Sequence, residues 1–532
     1  MSTTDPRAET AVIRQRLKRA WMPFFSRFGS LTEVQLRAIP LVLDGANVVV
    51  ASPTASGKTE SIAAPVAERC GRRSTDAVAV LYVVPTRALA NDTLLRIEGP
   101  LSDLGMRARL KHGDRPTLPR PLPHWLVTTP ESLDSLICRR PEVFAELEAV
   151  ILDEIHLLDG TYRGDQLRIL LRRLRRLSDE PFATHLLSAT LADPNQVGQR
   201  YVDEFEVITV AGQRPIERTF VSSLEEVRVI ARAAGHKKLL VFCNRRESVE
   251  TLAAELVPMW RPYPVVAHHG SLSRDERRQA EQVMQEEAIA VCVATSTLEI
   301  GIDIGDIDVV VLAEPPFSVS ALLQRIGRGN RRSATTRAIA VIESDEEREL
   351  VAAMFDAASS GALPAPAYRP DRSVVVQQIF SLLYAAPTGI EESELYELTS
   401  PLCDPENLKM ILAHLQGRDW VEAHHGLWFP RPKLLDRGER GWIHSNIPDS
   451  GAYRVIDVST GREVGRIAGT FDEVFVLARR SWKVVSRERD IVRARPFRGA
   501  AASAMFRRSR TRGAFFSELP KALQSAADED WV

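Results

Sequence analysis

The sequence predicts an α/β chain: two parallel sheets in tandem, then a winged helix, then a small β-rich module. Three observations predict it. Short β-branched runs alternate with helical patterns from Asn47 to Ser344, as in parallel sheets covered on both faces. Those runs are too many for one such sheet, and the pattern pauses near Ala211 to Arg218 (AGQRPIER) before restarting at Lys237 to Asn244. Past a Pro/Ala-rich hinge, Ser359 to Pro370, the chain turns to compact helical patterns and then to alternating, strand-like segments.

Taken in order, the strands expected for the first sheet are Val48 to Ala51, Val78 to Val84, Trp125 to Thr128, Ala149 to Leu152 and Leu186 to Leu187. Those of the second are Leu239 to Phe242, Val265 to Ala267, Val291 to Ala294, Val309 to Leu312 and Ala338 to Ile342. Helical patterns follow at Val374 to Tyr384, Glu391 to Leu398 and Pro405 to Gln416, the last with Leu408, Ile411, Leu412 and Leu415 on one face. A hairpin, Trp420 to Ala423 and Leu427 to Phe429 around His425-Gly426, completes a winged helix. From Tyr453 the segments YRVID, REVGRI, EVFVLA, WKVVS and DIVRA, with turns at Thr460-Gly461 and Gly469, read as a small twisted sheet or partial barrel. The expected domains are residues 1–214, 215–360, 361–435 and 436–532.

Composition narrows the function classes. A chain of 532 residues exceeds one domain at roughly 150 residues each, and 44% apolar with 26% charged residues is ordinary for globular proteins. The longest apolar run, Ala77 to Val84, falls far short of the ~18 residues that span a bilayer. The polar start MSTTDPRAET has no apolar stretch behind it, so the expectation is a cytoplasmic protein with no membrane partner. Cys70, Cys138, Cys243, Cys292 and Cys403 form no C-x-x-C pair, against zinc ribbons, iron–sulfur clusters and a disulfide framework. Net charge is -1, yet twelve Lys/Arg against two acids (Glu488, Asp490) lie between Arg479 and Arg512. That stretch is either a phosphate-following field or a solvated basic surface.

The chemistry starts at Ser52 to Thr59, SPTASGKT, which follows a strand and precedes a helical pattern. In that context backbone N–H groups of Ser52, Pro53 to Gly57 and the helix start surround phosphates, proline itself offering none. Lys58 neutralises β/γ charge and Thr59 offers a hydroxyl to Mg²⁺. The alternative is a plain Gly-Lys-Thr helix start, since Ser52 stands where the general pattern has its first glycine. Farther on, Ile151-Leu152 lead into Asp153-Glu154-Ile155-His156, two carboxylates at a strand end. Asp153 suits the Mg²⁺ side and Glu154 the base or water-orienting role. Alone such a pair reads as a solvated loop; together with the phosphate loop it reads as an ATP site.

The ordered motifs LTEVQLRAIP, SPTASGKT, VPTRALA, TTPESL, DEIH, SAT, VFCNRRES, VATSTLEIGIDIG and QRIGRGNR run from Leu31 to Arg331. The chain resembles a superfamily 2 DExH-type helicase. Within that superfamily, STLEIGIDIG, LLQRIGRGNRR and the segment RVID…GRIAGTFDEVFVLARRSWKVV resemble the Lhr (large helicase-related) family. Two departures stand out: Ala55 replaces a common glycine, and the C-terminal region is abbreviated. Relatives with a C-terminal cysteine cluster match poorly, because the chain beyond the Ser359 to Pro370 hinge holds only Cys403.

The resemblance implies two RecA-like domains and the cofactors ATP and Mg²⁺. It gives Gln35 to adenine recognition, the loop Ser52, Pro53, Thr54, Ala55, Ser56, Gly57, Lys58 and Thr59 to the phosphates, and Asp303 to the ribose. Phe28 is a stacking residue or core packing. Ser188 and Thr190 link nucleotide to nucleic acid, or form a plain strand-end turn. Gln324, Arg328 and Arg331 are implied to face the γ-phosphate as catalytic groups beside Lys58, Asp153 and Glu154. Thr86, Arg87, Thr129, Pro130, Glu131, Asn244, Arg245, Thr295 and Ser296 are implied to track one nucleic-acid strand through its phosphates. The winged helix either reads duplex sequence or braces the motor; Trp428, Trp442 and Trp482 either stack on bases or pack in cores. The implied partner is single-stranded DNA or a tailed DNA or RNA duplex, with protein partners through the C-terminal half. The readings that follow are a 3′ to 5′ DNA translocase in repair or related processing, an RNA-directed strand separator, or an ATP-switched subunit of a repair or phage-defence complex.

Overall fold

Buried β-branched strands occupy the middle of each of two parallel sheets, and charged strands close three of the four edges. The computed structural model describes residues 6–53, 56–70, 77–113, 115, 117–118, 120–189, 191–210, 215–299, 304–329, 335–360, 368–448, 452–468, 474–478, 480–488, 491–497, 502–503 and 513–529. These form two compact units. The first takes its residues from 1–210, 365–448 and 510–532, the second from 211–364 and 449–509.

The first unit holds strands β1 (Val48–Ala51), β2 (Val80–Val83), β3 (Ala108–Lys111), β4 (Trp125–Thr128), β5 (Ala149–Leu152), β6 (Ala183–Ser188) and β7 (Glu206–Thr209). Their order is β3-β4-β2-β5-β6-β1-β7, all parallel. The second unit holds β8 (Ile216–Val221), β9 (Lys238–Phe242), β10 (Val265–His268), β11 (Ala290–Ala294), β12 (Val309–Leu312) and β13 (Thr336–Val341), ordered β10-β11-β9-β12-β13-β8 and again all parallel. The reading of two tandem α/β sheets holds. Sequence patterning overlooked β3, β7 and β8, which are all edge strands. ARLK, EVIT and IERTFV carry charges because one side of an edge faces solvent.

The winged helix is part of the first unit. Helices Ser373–Ala385, Glu392–Thr399 and Pro405–Gly417 enclose it, with strands β14 (Ile390–Glu391), β15 (Val421–His424) and β16 (Leu427–Pro430) as the wing. His425 and Gly426 both have positive φ (51° and 82°), the backbone a two-residue hairpin turn requires. Helix Ser373–Ala385 is buried along nearly its whole length and packs on helices Pro130–Arg139 and Tyr162–Leu177 of the first sheet. The chain end returns to close the same core: Phe515 meets Phe380 edge-on at 5.6 Å, and the Trp420 indole donates to Glu518 at 3.0 Å.

The β-rich module consists of β17 (Ala452–Asp457), β18 (Glu463–Ala468), β19 (Val474–Leu477), β20 (Arg480–Glu488), β21 (Ile491–Pro496) and β22 (Ala502–Ser503), ordered β18-β17-β21-β20-β19-β22. It lies in the second unit, whereas 436–448 and 513–529 belong to the first, so the expected module 436–532 is divided. Gly465 explains how it attaches. A Cβ there would sit 2.3 Å from the Ser271 carbonyl, so only glycine lets β18 reach the 271–273 loop, where Ser273 N–H donates to Val464 at 2.9 Å. Fully buried Glu250 accepts from His269 and from Ala478 N–H, each at 2.8 Å, fixing the β19–β20 turn to the same sheet. Much of the basic stretch, 498–501 and 504–512, and Gly469 lie outside the described residues.

Candidate ATP site and nucleic-acid interface

In the first unit, SPTASGKT lies where β1 ends and helix Lys58–Arg69 begins. Gly57 has φ 87°, and a Cβ there would meet the Gln35 amide at 2.3 Å. Gln35 donates to the Gly57 carbonyl at 3.3 Å, and the Thr32 hydroxyl donates to Ser56 O at 2.8 Å. The helix Glu33–Leu43, whose capping box is formed by Thr32 and Gln35, therefore holds the loop from outside. Lys58 is buried and donates to Ser52 O at 2.7 Å and Pro53 O at 3.5 Å, while the Ser52 and Ser56 hydroxyls bond at 2.7 Å. Thr54 and Ala55 lie outside the described residues.

Asp153 and Glu154 end β5. Asp153 accepts from the Tyr82 hydroxyl at 2.8 Å and from the Glu154 N–H at 2.8 Å. Burial, and then the neighbouring Glu154 charge, push its carboxyl above the ordinary range. Glu154 has φ 46°, a left-handed backbone that costs a non-glycine residue about 1–3 kcal/mol and is characteristic of working sites. His156 packs behind it: Nδ1 is 2.9 Å from Ser188 Oγ and 3.5 Å from Glu154 Oε2. Burial lowers this imidazole to about 4, so it is neutral at pH 7. It ties the DEIH segment to SAT; Thr190 lies outside the described residues.

The donor set suits a hard cation, which takes oxygen ligands. The Tyr82 hydroxyl interacts with both Thr59 and Asp153, so the helix hydroxyl and the strand-end carboxylate converge on one point. Arg96 donates to Thr59 Oγ1 at 3.3 Å. Sequence reading missed Tyr82, Arg96 and His156. Tyr82 sat in an apolar run and Arg96 on a helix face, where neither has a local signal.

Phe28 is half-exposed beneath the Arg27 guanidinium at 5.2 Å, which removes the core-packing alternative. Thr86 caps helix Arg87–Asp103 by accepting from Leu89 N–H, and Arg87 lies against Gly113. Thr129 and Pro130 start helix Pro130–Arg139. Glu131 is committed to Arg163 through bonds of 2.5 and 3.0 Å, which hold its carboxyl below the usual range despite burial.

In the second unit the Asn244 side chain is also committed. It accepts from Arg325 at 2.9 Å and donates to Pro315 O at 2.7 Å, so a direct strand contact through this amide gives way to a bracing role. Arg325 is fully buried and bonds Glu299 at 2.7 Å, and Arg328 donates to the Glu299 carbonyl at 2.7 Å. One guanidinium thus joins the segments of Asn244, of Thr295-Ser296 through Glu299, and of Gln324. Arg245 stands at the N-cap position of helix Arg246–Trp260 without a side-chain capping bond, and Thr295 is buried at the end of β11. Gln324 is buried and donates to Ser320 at 3.4 Å. Asp303 and Arg331 lie outside the described residues. Trp428 and Trp482 are core residues, their indoles donating to Glu392 and to Leu477 O; Trp442 is 56% exposed beside Arg437 and Arg440.

Residues 32–197 match the model of the DEAD/DEAH box helicase domain and residues 221–333 that of the helicase conserved C-terminal domain. The chain belongs to the superfamily 2 helicases. Its likeness to Lhr proteins extends past those domains. An ATP-dependent helicase Lhr-Core of Saccharolobus solfataricus is 27% identical over 95% of the chain, which spans 64% of that relative. The helicase Lhr of Mycobacterium smegmatis, solved with ssDNA and AMP-PNP, superposes with TM-score 0.71 at 23% identity, covering 85% of the chain and 64% of its own. The DUF1998 helicase MrfA, solved with DNA and AMPPNP, gives TM-score 0.72 at 22% identity over 91% of the chain and 72% of its own. Among the described residues no helix of this superfamily 2 chain is long and apolar enough to cross a membrane.

Proposed function

We propose that the chain hydrolyses Mg-ATP to move along single-stranded DNA 3′ to 5′ and to open duplexes ahead of it, in DNA repair or related processing in the cytoplasm. The observation that carries this reading is the group of buried Lys58, Thr59 and Asp153 with partly buried, strained Glu154 at the carboxyl ends of one parallel sheet. Lys58 and the loop amides hold the phosphates, Thr59 and Asp153 the cation, and Glu154 orients the attacking water. Mg²⁺, when bound there, would supply charge neutralisation for the phosphates. Gln324, Arg328 and Arg331 keep the role the resemblance gives them, stabilising charge at the γ-phosphate. DNA is favoured because the two structural relatives above were solved with DNA, and they match well beyond the helicase domains into the C-terminal half.

The deciding measurement is steady-state ATPase with single-stranded DNA, single-stranded RNA or neither, followed by unwinding of 3′-tailed and 5′-tailed duplexes. DNA stimulation with unwinding of the 3′-tailed substrate is expected. Stimulation by RNA alone would replace the DNA reading, and turnover without unwinding on any tail would favour the ATP-switched subunit.

A further inference from the structure

The tryptophans past the interdomain hinge do not share one environment. Trp420, Trp428 and Trp482 are buried, and each indole N–H donates to a protein acceptor: Glu518 at 3.0 Å, Glu392 at 3.3 Å and the Leu477 carbonyl at 2.8 Å. Trp442 is 56% exposed instead, with the Arg440 and Arg437 guanidiniums 5.3 and 5.8 Å from its ring centroid. A single exposed apolar residue needs no explanation, but an open indole between two cations is a surface of defined chemistry.

The backbone holds this ring in place. Gly441 has φ 74° and ends helix Pro432–Glu439 with a paired closure: its N–H donates to Gly438 O at 2.9 Å, and the Trp442 backbone N–H donates to Arg437 O at 3.1 Å. The helix is pressed against Tyr384, since a Cβ at Gly438 would sit 2.1 Å from that ring, and Arg139 donates to the Gly438 carbonyl at 3.3 Å. On the other side Ile443 and His444 are buried, and their carbonyls accept from Gln377 at 2.5 Å and Gln166 at 3.0 Å. The exposed ring therefore stands on a backbone fastened before and after it, so little order is lost when something stacks there.

The charges decide what fits. Among the described residues neither Arg437 nor Arg440 forms an ion pair, while Glu439 is engaged by the Tyr384 hydroxyl at 3.0 Å. An acidic peptide would use the two guanidiniums and leave the ring idle. An apolar protein face would cover the ring and bury two unpaired cations. A single nucleic-acid strand offers both, a base with a π-face and phosphates beside it.

We propose that Trp442 stacks on an unpaired base of the bound DNA strand, with Arg437 and Arg440 on the flanking phosphates. The inference rests on the single-stranded DNA reading above. Stacking accepts any base, so the contact holds the strand without reading its sequence.

The test measures binding of the full chain to a single-stranded DNA oligonucleotide and to an abasic strand of equal length, over a range of salt. Trp442→Ala should bind the natural strand about 10-fold more weakly, toward the low end of what one base–aromatic stack contributes. Its affinity for the abasic strand and its salt slope should match wild type, and Trp442→Phe should recover most of the loss. Arg437→Gln combined with Arg440→Gln should flatten the salt slope by about 1.4, at about 0.7 for each lost phosphate contact. Equal affinity of wild type and Trp442→Ala for the natural strand overturns the proposal and leaves the patch to a protein partner or to solvent. An equal loss on both strands overturns it too, since lost stacking cannot weaken a strand without bases. If wild type binds no single strand at all, the function proposed above falls and this inference with it.

Discussion

Asp153 and Asp134 are both buried carboxylates of the first unit, and the protein treats them in opposite ways. Asp153, at the phosphate end of the sheet, faces one tyrosine hydroxyl, one N–H and the like charge of Glu154, and its carboxyl is pushed up. Asp134, under the winged helix, takes three amide donors and Arg173, with His444 beside it, and these hold its carboxyl well below the usual range although burial opposes them. The first is under-solvated, and in the function proposed above a cation and phosphates complete it. The second is complete and fastens two layers together. Depth of burial alone therefore does not separate a working carboxylate from a structural one; the partners do.

The contrast breaks hardest at the ATP site. Lys58→Ala should abolish Mg-ATP hydrolysis, while Glu154→Gln should retain nucleotide binding and lose at least about 10²-fold in turnover, as expected when a preorganised transition-state group is removed. Wild-type turnover by Glu154→Gln with DNA present would remove Glu154 from the water-orienting role. Next in size, Asp134→Ala should cost about 3–5 kcal/mol in denaturant unfolding, because Arg173 and His444 are left buried without their counter-charge. Asp153→Asn is the sharpening control: hydrolysis lost, stability unchanged or slightly raised. Equal destabilisation by the two substitutions would dissolve the distinction.

The pH dependence follows from the same pair. His444 is raised from 6.5 to about 9 by Asp134 and Cys138, against the opposing effect of its burial, so its contribution to stability is fully present below pH 6.5 and is lost as pH rises through about 9. Asp134 is lowered from 3.8, so its contribution is present above that value and is lost as pH falls through its folded pKa. Chemical denaturation across pH 5 to 10 should show the alkaline loss in wild type and not in His444→Gln. The smallest effect is expected of Tyr82→Phe. The hydroxyl lowers Asp153, so losing about 1 kcal/mol of hydrogen bonding moves the acid limb of the ATPase profile up by about 0.7 pH unit. An unmoved limb would mean that another group sets it.

Much of this was legible in the chain itself, and the illegible parts share a cause. SPTASGKT and Asp153-Glu154 are local: a phosphate loop needs consecutive residues, so its chemistry is written contiguously. The central strands were legible because burial on both faces leaves only β-branched and apolar residues. The edge strands β3, β7 and β8 were not, since a solvated side dilutes that signal. Phe28, which the sequence leaves open between stacking and core packing, is half-exposed, while Asn244, implied to contact nucleic acid, is held by Arg325 and Pro315.

Order, spacing and residue type by themselves determined the two tandem sheets, the winged helix and the ATP chemistry, because each is specified within a few residues of the backbone that carries it. Only the tertiary structure decided that Tyr82 serves Asp153, that Arg325 joins three separate segments, and that residues 513–529 close the winged-helix core. It also decided that Asp134, Cys138, Arg173, Ser381 and His444 meet. These groups are brought together by packing from distant parts of the chain, and a buried charge leaves no periodic mark in a sequence; its partners become visible only when the layers that desolvate it are in place.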